Sequence, residues 1–562
     1  MTLFLFASFL KPICMITPSS FSEIQTLLID DMQTQRTTLR GQLQQLSINK
    51  VDQVATPDEA IRIAKSKQYD LVLCDFNLNQ KTDGQQLLEF MRDNELLPPS
   101  CLFFMVTAEN SYLSVASASE HRPDAYLLKP ITAGDVADRL KTLLERRRAL
   151  EPINYYLDRK EWPGVISECD AVIDRRSRWT MQALQIKAQT LLQMGRHQEA
   201  HTAFTQALSV RDTLVWAQIG LAKALKAAGE LDQAQALAQN IINSKDGEKN
   251  IEAYDLVAAC MEEQGDTEGA LWVMKDSAAV MPSARRQRMV AESAYLNGDL
   301  ETAKECFARL AKATRGAITS LPQDILGQAQ LLVDTGEAKE AIKLLDSGLQ
   351  QYRNDPNFAS VSLAIRAQAQ AKDGDKTAAN ATLTKVRQSL RRTKADFAAV
   401  ALAKAEIMAG NEEAGIKMME DAVSSDHENI RIKKLIGNAL RQTGHDDKVS
   451  QVVEGAVAEI NQRVDAAKVM FRSSKMDEAL AAIEEALKQY PENTGVLLQA
   501  AQMNCLALRM KKTMNATISE RVRNYLRKLD KLMPNNDRVA KMNLYYRDTL
   551  AQLQQQAQAG KV

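Results

Sequence analysis

The sequence lacks the excess of basic residues that is typical of proteins that bind nucleic acid or an anionic membrane surface. It also lacks the cysteine pattern of a disulfide framework. Its 71 lysines and arginines balance 71 aspartates and glutamates, so the overall charge points to neither DNA nor acidic lipid. The 7 cysteines are scattered, without a C-x-x-C pair or a histidine at metal-ligand spacing beside them. This distribution favours buried thiols in a reducing compartment, and we predict a cytoplasmic protein.

Signatures of catalysis are missing as well. The sequence has no P-loop, no G-x-S-x-G elbow and no cysteine–histidine pair of the nucleophile type. His197 and His201 have the spacing of two metal ligands on one helix, but no H-E-x-x-H pattern or third ligand accompanies them, which favours surface histidines. We therefore expect a protein that is not an enzyme.

Long apolar runs are also lacking. The opening stretch "MTLFLFASFLKPICM" has no basic segment and is far shorter than the ~20 residues that cross a bilayer. We interpret residues 1–20 as a dispensable extension, favour a true start at Met15 and expect no membrane association. Aromatic residues make up only 5%, while alanine, leucine and glutamine are abundant, which is typical of a mostly helical protein.

Five short apolar runs alternate with helical patterns between residues 25 and 150. The predicted strands are "TLLID", "KVDQVA", "DLVLCDF", "CLFFMVT" and "AYLLKP", with helices between them, including a short one after Glu109. This alternation predicts an α/β domain with a doubly wound, five-stranded parallel sheet. Ligands of such sheets bind at the carboxyl ends of the strands.

Polar residues stand where these strands end: Asp30 and Asp31, Asp75, Thr107 and Lys129. Three converging carboxylates repel one another unless a cation neutralises them, and Mg²⁺ fits an all-oxygen ligand set. With the metal bound, Asp75 can attack the phosphorus of a phosphodonor while the Lys129 ammonium neutralises charge on the transferring oxygens. The Thr107 hydroxyl can then donate a hydrogen bond to the new acyl phosphate.

Residues 21–150 resemble the receiver domain of bacterial two-component response regulators. The resemblance rests on the acid pair "DD", on "LVLCDFNL", on the loop "TDG", on "MVTAE" and on the Lys-Pro of "LLKP". It implies that Asp75 is the phosphoacceptor, that Thr107 and Lys129 assist it, and that a sensor histidine kinase or a phosphotransfer protein is a partner.

The resemblance also assigns finer roles. It implies that Asp31 binds Mg²⁺ directly, that Asp30 acts mostly through water, and that Asn77 contributes its backbone carbonyl. It implies further that Tyr126 is a switch aromatic that moves with the threonine, and that the Lys129–Pro130 bond is cis, an isomer essentially confined to proline.

A turn motif recurs behind this region at intervals of 30 to 38 residues, marked by eight glycines and one serine: Gly195, Gly229, Gly265, Gly298, Gly336, Gly374, Gly410, Gly444 and Ser474. Small residues, mostly alanine, stand seven residues before and five after most of these marks, where two helices could cross closely. The pattern resembles a tetratricopeptide-repeat array and implies an all-α superhelical solenoid. We predict about nine repeats in residues 180–493, with linker or capping helices in 151–179 and 494–562.

The solenoid implies a concave groove for an unidentified protein partner. The resemblance predicts that basic and amide side chains face this groove: Arg285, Arg288, Arg431, Lys434, Asn438, Arg441, Lys468 and Arg472. It predicts the same for acidic side chains of the third repeat, among them Glu252 and Asp255. The C-terminal helices carry ten basic against three acidic residues between positions 509 and 541, which favours a solvated face over an acidic partner or RNA.

Three functions are consistent with this organisation. The first is a response regulator whose phosphorylation controls protein binding through the repeats, with homodimerisation as one route of control. The second is a constitutive repeat scaffold in which the receiver is a phosphate sink or docking domain. The third, which the balanced charge disfavours, is a nucleic-acid regulator acting through the basic C-terminus.

Overall fold

The computed structural model describes residues 20–78, 82–98, 100–108, 123–244, 247, 249–390, 396–512, 515–534 and 536–559. The predicted N-terminal extension, apart from Ser20, and the predicted helix after Glu109 lie outside these residues. The chain forms two compact units, which we describe separately. The first contains Met1–Gln264, Trp272–Arg286 and Lys312–Ser320, and the second contains Gly265–Leu271, Gln287–Ala311 and Leu321–Val562.

The first unit opens with a five-stranded sheet in the order β2-β1-β3-β4-β5, in which every neighbouring pair is parallel. The strands are β1 Thr26–Ile29, β2 Val51–Val54, β3 Leu71–Asp75, β4 Leu102–Thr107 and β5 Ala125–Leu128. Strands β1, β3 and β4 are buried along their whole length, as expected for a sheet covered on both faces. The predicted doubly wound sheet is confirmed.

Four helices cover the sheet: α1 Gln33–Gln45, α2 Pro57–Ala64, α3 Gly84–Asp93 and α4 Ala133–Ala149. Three of them begin at a side chain that accepts a hydrogen bond from the first turn. These capping residues are Thr56, Asp83 and Thr132. Because successive strand residues face opposite sides, two separate apolar clusters form, one on each face of the sheet.

The remaining described elements are helical. They are α5 Glu151–Asp158, α6 Trp162–Asp174, α7 Thr180–Gln193, α8 His197–Val210, α9 Val215–Ala227, α10 Leu231–Ile242, α11 Ile251–Gln264, α12 Thr267–Val280, α13 Ala284–Leu296, α14 Leu300–Thr314, α15 Pro322–Asp334, α16 Ala338–Gln351, α17 Pro356–Lys372, α18 Lys376–Leu390, α19 Phe397–Met408, α20 Glu412–Ser425, α21 Ile430–Gln442, α22 Ala456–Arg472, α23 Met476–Gln489, α24 Thr494–Lys511, α25 Ala516–Leu532 and α26 Asp537–Ala559. In the described part of the chain, every helix is too short or too polar to cross a membrane.

The turns between paired helices have the backbone conformation that the repeat pattern predicts. All eight marked glycines have a positive φ, between 72° and 96°, and Ser474 has a φ of 62°. A residue without Cβ adopts this left-handed conformation at little cost, so glycine lets the first helix of each pair end and the second begin. Alanines flanking the turns, such as Ala188 and Ala222, are fully buried. The predicted close crossings are confirmed.

One stretch departs from the repeat pattern. Between Gly444 and Ser474 the chain continues from a 3-10 turn, Asp446–Lys448, through a π-helical segment, Ser450–Gly455, into α22. This interval is the shortest between two marks, and residues 446–472 within it form one continuous helical stretch. π-helical turns are rare and occur mostly within α-helices, and this one leads directly into α22.

A substitution at a repeat turn tests this role of glycine. Gly410 has a φ of +96° and open space around its missing Cβ, so Gly410→Ala introduces backbone strain without a steric clash. We expect the free energy of local opening of α19 and α20 to fall by about 1–2 kcal/mol, measured by amide hydrogen exchange.

Gly41 is the matched control. It lies inside α1 with no atom within 4 Å of its missing Cβ. Gly41→Ala should therefore raise the free energy of opening of α1 by about 0.5–1 kcal/mol. Equal protection of α19 and α20 in wild type and Gly410→Ala would contradict the turn argument.

Candidate functional site

The site lies at the carboxyl edge of the sheet, where consecutive strands deliver charged side chains to one place. Asp30 follows β1, Asp75 ends β3 and Lys129 follows β5. The Lys129 Nζ lies 2.8 Å from Asp75 Oδ2 and 3.4 Å from Asp30 Oδ2. Carboxylate oxygens of Asp30, Asp31 and Asp75 lie within 4.8 Å of one another. The structure thus brings the predicted acids and lysine together.

Backbone contacts fix these side chains. The Asp30 Oδ1 accepts a hydrogen bond of 2.8 Å from the Met32 amide, which turns the carboxylate toward the cleft. The Lys129 amide donates to the carbonyl of Thr107 at 2.8 Å, so the end of β4 positions the lysine. The Lys129–Pro130 peptide is cis, as predicted.

The electrostatics of the site follow from burial and crowding. Burial raises the pKa of the Asp75 carboxyl above its ordinary value, although the hydrogen bond and charge of Lys129 act in the opposite direction. Burial alone lowers the pKa of Lys129, but its bonds to Asp75 and Asp30 outweigh this effect, so the net pKa is raised. Lys129 therefore stays protonated beside the acids.

The charge and the ligand atoms of the site can be compared with those that the implied metal, Mg²⁺, requires. Among Asp30, Asp31, Asp75 and Lys129, three carboxylates converge beside one ammonium group, so negative charge exceeds positive within this set of side chains. All the converging ligand atoms are oxygen, the ligand type that Mg²⁺ prefers. A divalent cation of this kind fits the residues present, in both charge and chemistry.

Gly84 lets helix α3 start directly beneath the buried acid. Its amide donates to the Phe76 carbonyl at 2.8 Å, and a Cβ on it would lie 2.3 Å from the Asp75 carbonyl oxygen. Asp83 caps the helix by accepting from the Gln86 amide at 2.7 Å. The glycine of the "TDG" motif is thus required by close backbone approach.

The remaining predicted site residues lie on the same edge or next to it. Thr107 ends β4 and is buried, and it pairs in register with Leu128, the residue before Lys129. Tyr126 is half-buried on β5 and packs against the apolar cluster beneath β3. Asn77 is exposed two residues after Asp75.

A neighbour that sequence reasoning missed lies at the end of the loop that follows the buried acid. The amide of Ile318 donates to the Thr82 Oγ at 3.2 Å, and its side chain packs against the apolar cluster of the sheet. Both residues belong to the first unit, although 236 positions separate them. Thr82 is buried, with 3% of its surface exposed. No local pattern in the sequence predicts this contact.

Several predicted groove residues bind other parts of the second unit. Lys434 donates to Thr267 and, at 2.8 Å, to the Asn297 Oδ1. The Asn438 amide donates to the Leu296 carbonyl at 2.9 Å. Arg288 pairs with Asp324, Arg441 with Asp446 and Lys468 with Asp465. Arg285, Arg431 and Arg472 are exposed. Whether these residues bind a partner stays a prediction.

A buried ion pair in the second unit was also missed. Lys404 and Asp334 pair with side chains only 5% and 2% exposed, and Tyr295 donates to the same aspartate at 2.7 Å. Burial lowers the pKa of Lys404 despite the attraction of Asp334. A lysine inside the apolar run "FAAVALAKAEIM" is the only sequence signal, and its partner lies 70 residues away.

Comparison with known protein families agrees with both halves of the description. The family model "Response regulator receiver domain" matches residues 26–141, and a "Tetratricopeptide repeat" model matches residues 191–260. The chain carries a receiver domain and tetratricopeptide repeats.

Similar individual proteins match the receiver region. The chemotaxis protein CheY-3 of Vibrio cholerae serotype O1 is 27% identical over 123 residues, which are 22% of this chain and 93% of that protein. The transcriptional regulatory protein ResD of Bacillus subtilis is 30% identical over 125 residues, which are 22% of this chain and 50% of that protein. These relatives support the receiver and leave the repeats unmatched.

A crystal structure of a tetratricopeptide repeat protein from Parabacteroides merdae overlaps with 52% of this chain and 98% of its own, at 15% identity and a TM-score of 0.28. This score is too low to carry a structural argument. The repeat assignment therefore rests on the family model and on the positive φ angles of the turns.

The raised pKa of Asp75 predicts a pH-dependent gain in stability when its charge is removed. We expect Asp75→Asn to raise the midpoint of thermal unfolding of the metal-free protein at neutral pH, because asparagine brings no charge into the buried site. The gain should shrink as pH falls through the raised pKa of Asp75, since the wild-type carboxyl is then protonated too. Calorimetry over this pH range measures the difference.

The control is Asp58→Asn, which removes an exposed carboxylate from the first turn of α2. It should not raise the midpoint, because this charge is solvated and favourable at a helix N-terminus. A pH-independent gain in Asp75→Asn would show that ionisation of Asp75 is not its cause.

Proposed function

We propose that the protein is a response regulator of a phosphorelay, in which phosphorylation of Asp75 controls protein binding through the repeats. The observation that carries this proposal is the contact between Thr82 and Ile318, which joins the loop after the phosphoacceptor to a segment between two repeats. We define the docked segment as Lys312–Ser320, the stretch around Ile318 that belongs to the first unit.

The chain's own residues supply most of the chemistry. An oxygen of the Asp75 carboxylate attacks the phosphorus of a donor, such as the phosphohistidine of a kinase or phosphotransfer protein. The bond from phosphorus to the donor breaks, and its electron pair leaves with the donor. Lys129 holds the carboxylate and stabilises charge on the transferring oxygens. We propose that the hydroxyl of Thr107, which ends β4, donates a hydrogen bond to the acyl phosphate.

Mg²⁺ would be held by Asp30, Asp31 and Asp75, with the Asn77 carbonyl as a further ligand, and when bound it neutralises the transferring phosphoryl group.

The described cysteines are all free and buried, which supports a reducing compartment, and we place this activity in the cytoplasm. Homodimerisation through the receiver is a second response that phosphorylation could control.

Coupling to the repeats follows from the position of the docked segment. The loop between Asp75 and Gly84 is tied at its base by the Gly84–Phe76 hydrogen bond and touches Ile318 near its end. Phosphorylation adds about two negative charges beside this loop. A shift of the loop that separates Thr82 from Ile318 would release the docked segment.

The chemistry is tested first. Acetyl phosphate with Mg²⁺ should attach one phosphoryl group, detected by intact-mass spectrometry, and chelation of Mg²⁺ should prevent it. Asp75→Asn should abolish labelling, because it removes the nucleophile, and Asp31→Asn should slow it by about 10-fold or more through lost metal affinity. Asp58→Asn should label like the wild type. Labelling that persists in Asp75→Asn would refute the assignment of the phosphoacceptor.

The coupling is tested by hydrogen exchange of the docked segment. With beryllofluoride and Mg²⁺ as a phosphoryl mimic, we expect faster exchange of the Ile318 amide, because its acceptor moves away. Asp75→Asn should show no response to beryllofluoride, since it cannot form the mimic.

Two threonine variants give a matched pair. Thr82→Val keeps the shape of the side chain but removes the acceptor, so the Ile318 amide should exchange fast without beryllofluoride. Thr82→Ser keeps the hydroxyl and should retain protection. If the wild-type protein that acetyl phosphate labels shows equal exchange of the docked segment with and without beryllofluoride, the receiver is uncoupled from the repeats. The constitutive scaffold is then the better account.

A further inference from the structure

Five first helices of successive repeat pairs form a closed ring of contacts within the second unit. They are α13 from Gln287 onward, α15, α17, α19 and α21. Neighbouring helices are expected to touch in a stack of repeats. Here the last helix also touches the first, because the Asn438 side-chain amide of α21 donates to the Leu296 carbonyl of α13 at 2.9 Å, across 142 positions of sequence.

A buried ion pair lies inside this ring and joins four of its helices. Lys404 of α19 pairs with Asp334 of α15, which is not the next first helix but the one beyond it. The Lys404 Nζ also donates to the Gln442 Oε1 of α21. Tyr295 of α13 donates to the same aspartate at 2.7 Å. Side chains from α13, α15, α19 and α21 therefore meet in one interior.

Two glutamines connect the fifth helix, α17, to this interior. The Gln330 side-chain amide of α15 donates to the Gln368 Oε1 of α17 at 2.8 Å, and Gln368 donates to the Ala401 carbonyl of α19 at 2.8 Å. Gln330 is 1% exposed, Gln368 is fully buried and Lys404 is 4% exposed. Polar side chains that line an open groove contact water, whereas these contact one another. The interior is thus occupied by side chains of the repeats themselves.

The contact that closes the ring uses two residues that the repeat resemblance assigns to a partner. Lys434 donates to the Thr267 hydroxyl oxygen and, at 2.8 Å, to the Asn297 Oδ1, while Asn438 donates to the Leu296 carbonyl. The Thr267 hydroxyl donates to the same Asn297 oxygen at 2.6 Å. We define these five residues as the latch.

Other contacts between α13 and α21 accompany the latch. Tyr295 and Leu296 pack against the buried apolar cluster that contains Leu435 of α21. Burial raises the pKa of the Glu292 carboxyl on α13, and the positive charge of Arg431 on α21 acts against this rise. The two helices thus meet through apolar, polar and charged side chains.

We infer that the latch controls access to the interior of these repeats: while it is closed, Lys404 and the polar groups around it are excluded from solvent and from any partner. Hydrogen bonds of this kind are individually weak, so the latch can open without unfolding of the repeats. The inference rests on the proposed function in one respect, since it adds a second control on the repeat output.

Covalent labelling of Lys404 tests access to the interior. Reductive methylation with formaldehyde and cyanoborohydride, quantified by peptide mass spectrometry, modifies lysines that solvent reaches. In the full-length wild type, Lys404 should react about 10-fold or more slowly than Lys417, whose side chain is 68% exposed. Each rate is normalised to that of the protein unfolded in guanidinium chloride, which removes differences in intrinsic reactivity.

Removing the latch donors should expose Lys404. Lys434→Met/Asn438→Leu keeps the size of both side chains and should raise the labelling rate of Lys404 about 10-fold or more, corresponding to about 1.4 kcal/mol. Thr267→Val removes one acceptor on the opposite side of the latch and should act in the same direction by a smaller factor. The matched control is Lys433→Met, which makes the same change at the neighbouring half-buried position outside the latch and should label like the wild type.

Two results would overturn the inference. One is labelling of Lys404 as fast as that of Lys417 in the wild type, and the other is unchanged labelling in the folded latch variants. Circular dichroism checks folding, and Thr267→Val decides the question if the double variant does not fold. Because no phosphodonor is present, failure of the latch is distinguishable from failure of the proposed function. Acetyl phosphate can label Asp75 when the latch is refuted, and the latch can be confirmed in Asp75→Asn.

Discussion

Close approach of one backbone segment to another is the constraint on which both parts of the chain depend. Beneath the buried acid, Gly84 leaves room for the Asp75 carbonyl, which a Cβ would approach to 2.3 Å. Among the repeats, Gly415 plays the same part, because a Cβ there would lie 2.5 Å from the Ala403 carbonyl. Neither position tolerates a side chain without backbone movement, so small residues determine where helices can lie. Helix α3, beneath the acid site, is placed in this way.

Charge is used in two ways within this framework. At the sheet edge, the carboxylates of Asp30, Asp31 and Asp75 outnumber the Lys129 ammonium beside them, and we propose that this surplus attracts a divalent cation. In the repeats, Asp255 with Arg286 and Asp334 with Lys404 are pairs of opposite charge in largely buried positions. Breaking such a pair leaves an uncompensated buried charge, which is strongly unfavourable, so these pairs restrict which helices can be neighbours. In this chain, an excess of charge of one sign therefore indicates a binding site, whereas a buried pair of opposite charges indicates a structural role.

Much of this architecture could be predicted from the sequence because its signals are local. The five strands and the left-handed turns each follow from a few adjacent residues, and the cis Lys129–Pro130 bond was implied by the resemblance to receiver domains. The contacts that join distant segments could not, since Ile318 and Thr82 are ordinary residues whose pairing depends on the folded path between them. The same holds for Lys434, whose partners Thr267 and Asn297 lie more than a hundred positions earlier. The π-helical segment before α22 was not predicted either, although the repeat interval that contains it is the shortest.

The modest strength of the Ile318 contact suits a switch better than a strong one would. One neutral hydrogen bond contributes about 0.5–1.5 kcal/mol, and a half-buried aliphatic side chain adds an amount of similar size. A ligand or modification shifts a two-state equilibrium only by its differential interaction with the two states, and a few kcal/mol changes the populations substantially. A phosphoryl group on Asp75 lies beside this loop, in a cleft that already holds several charges. Its electrostatic interaction with the loop can therefore reach this size. Had the docked segment been held by a buried ion pair like that of Lys404, the same modification would leave it in place.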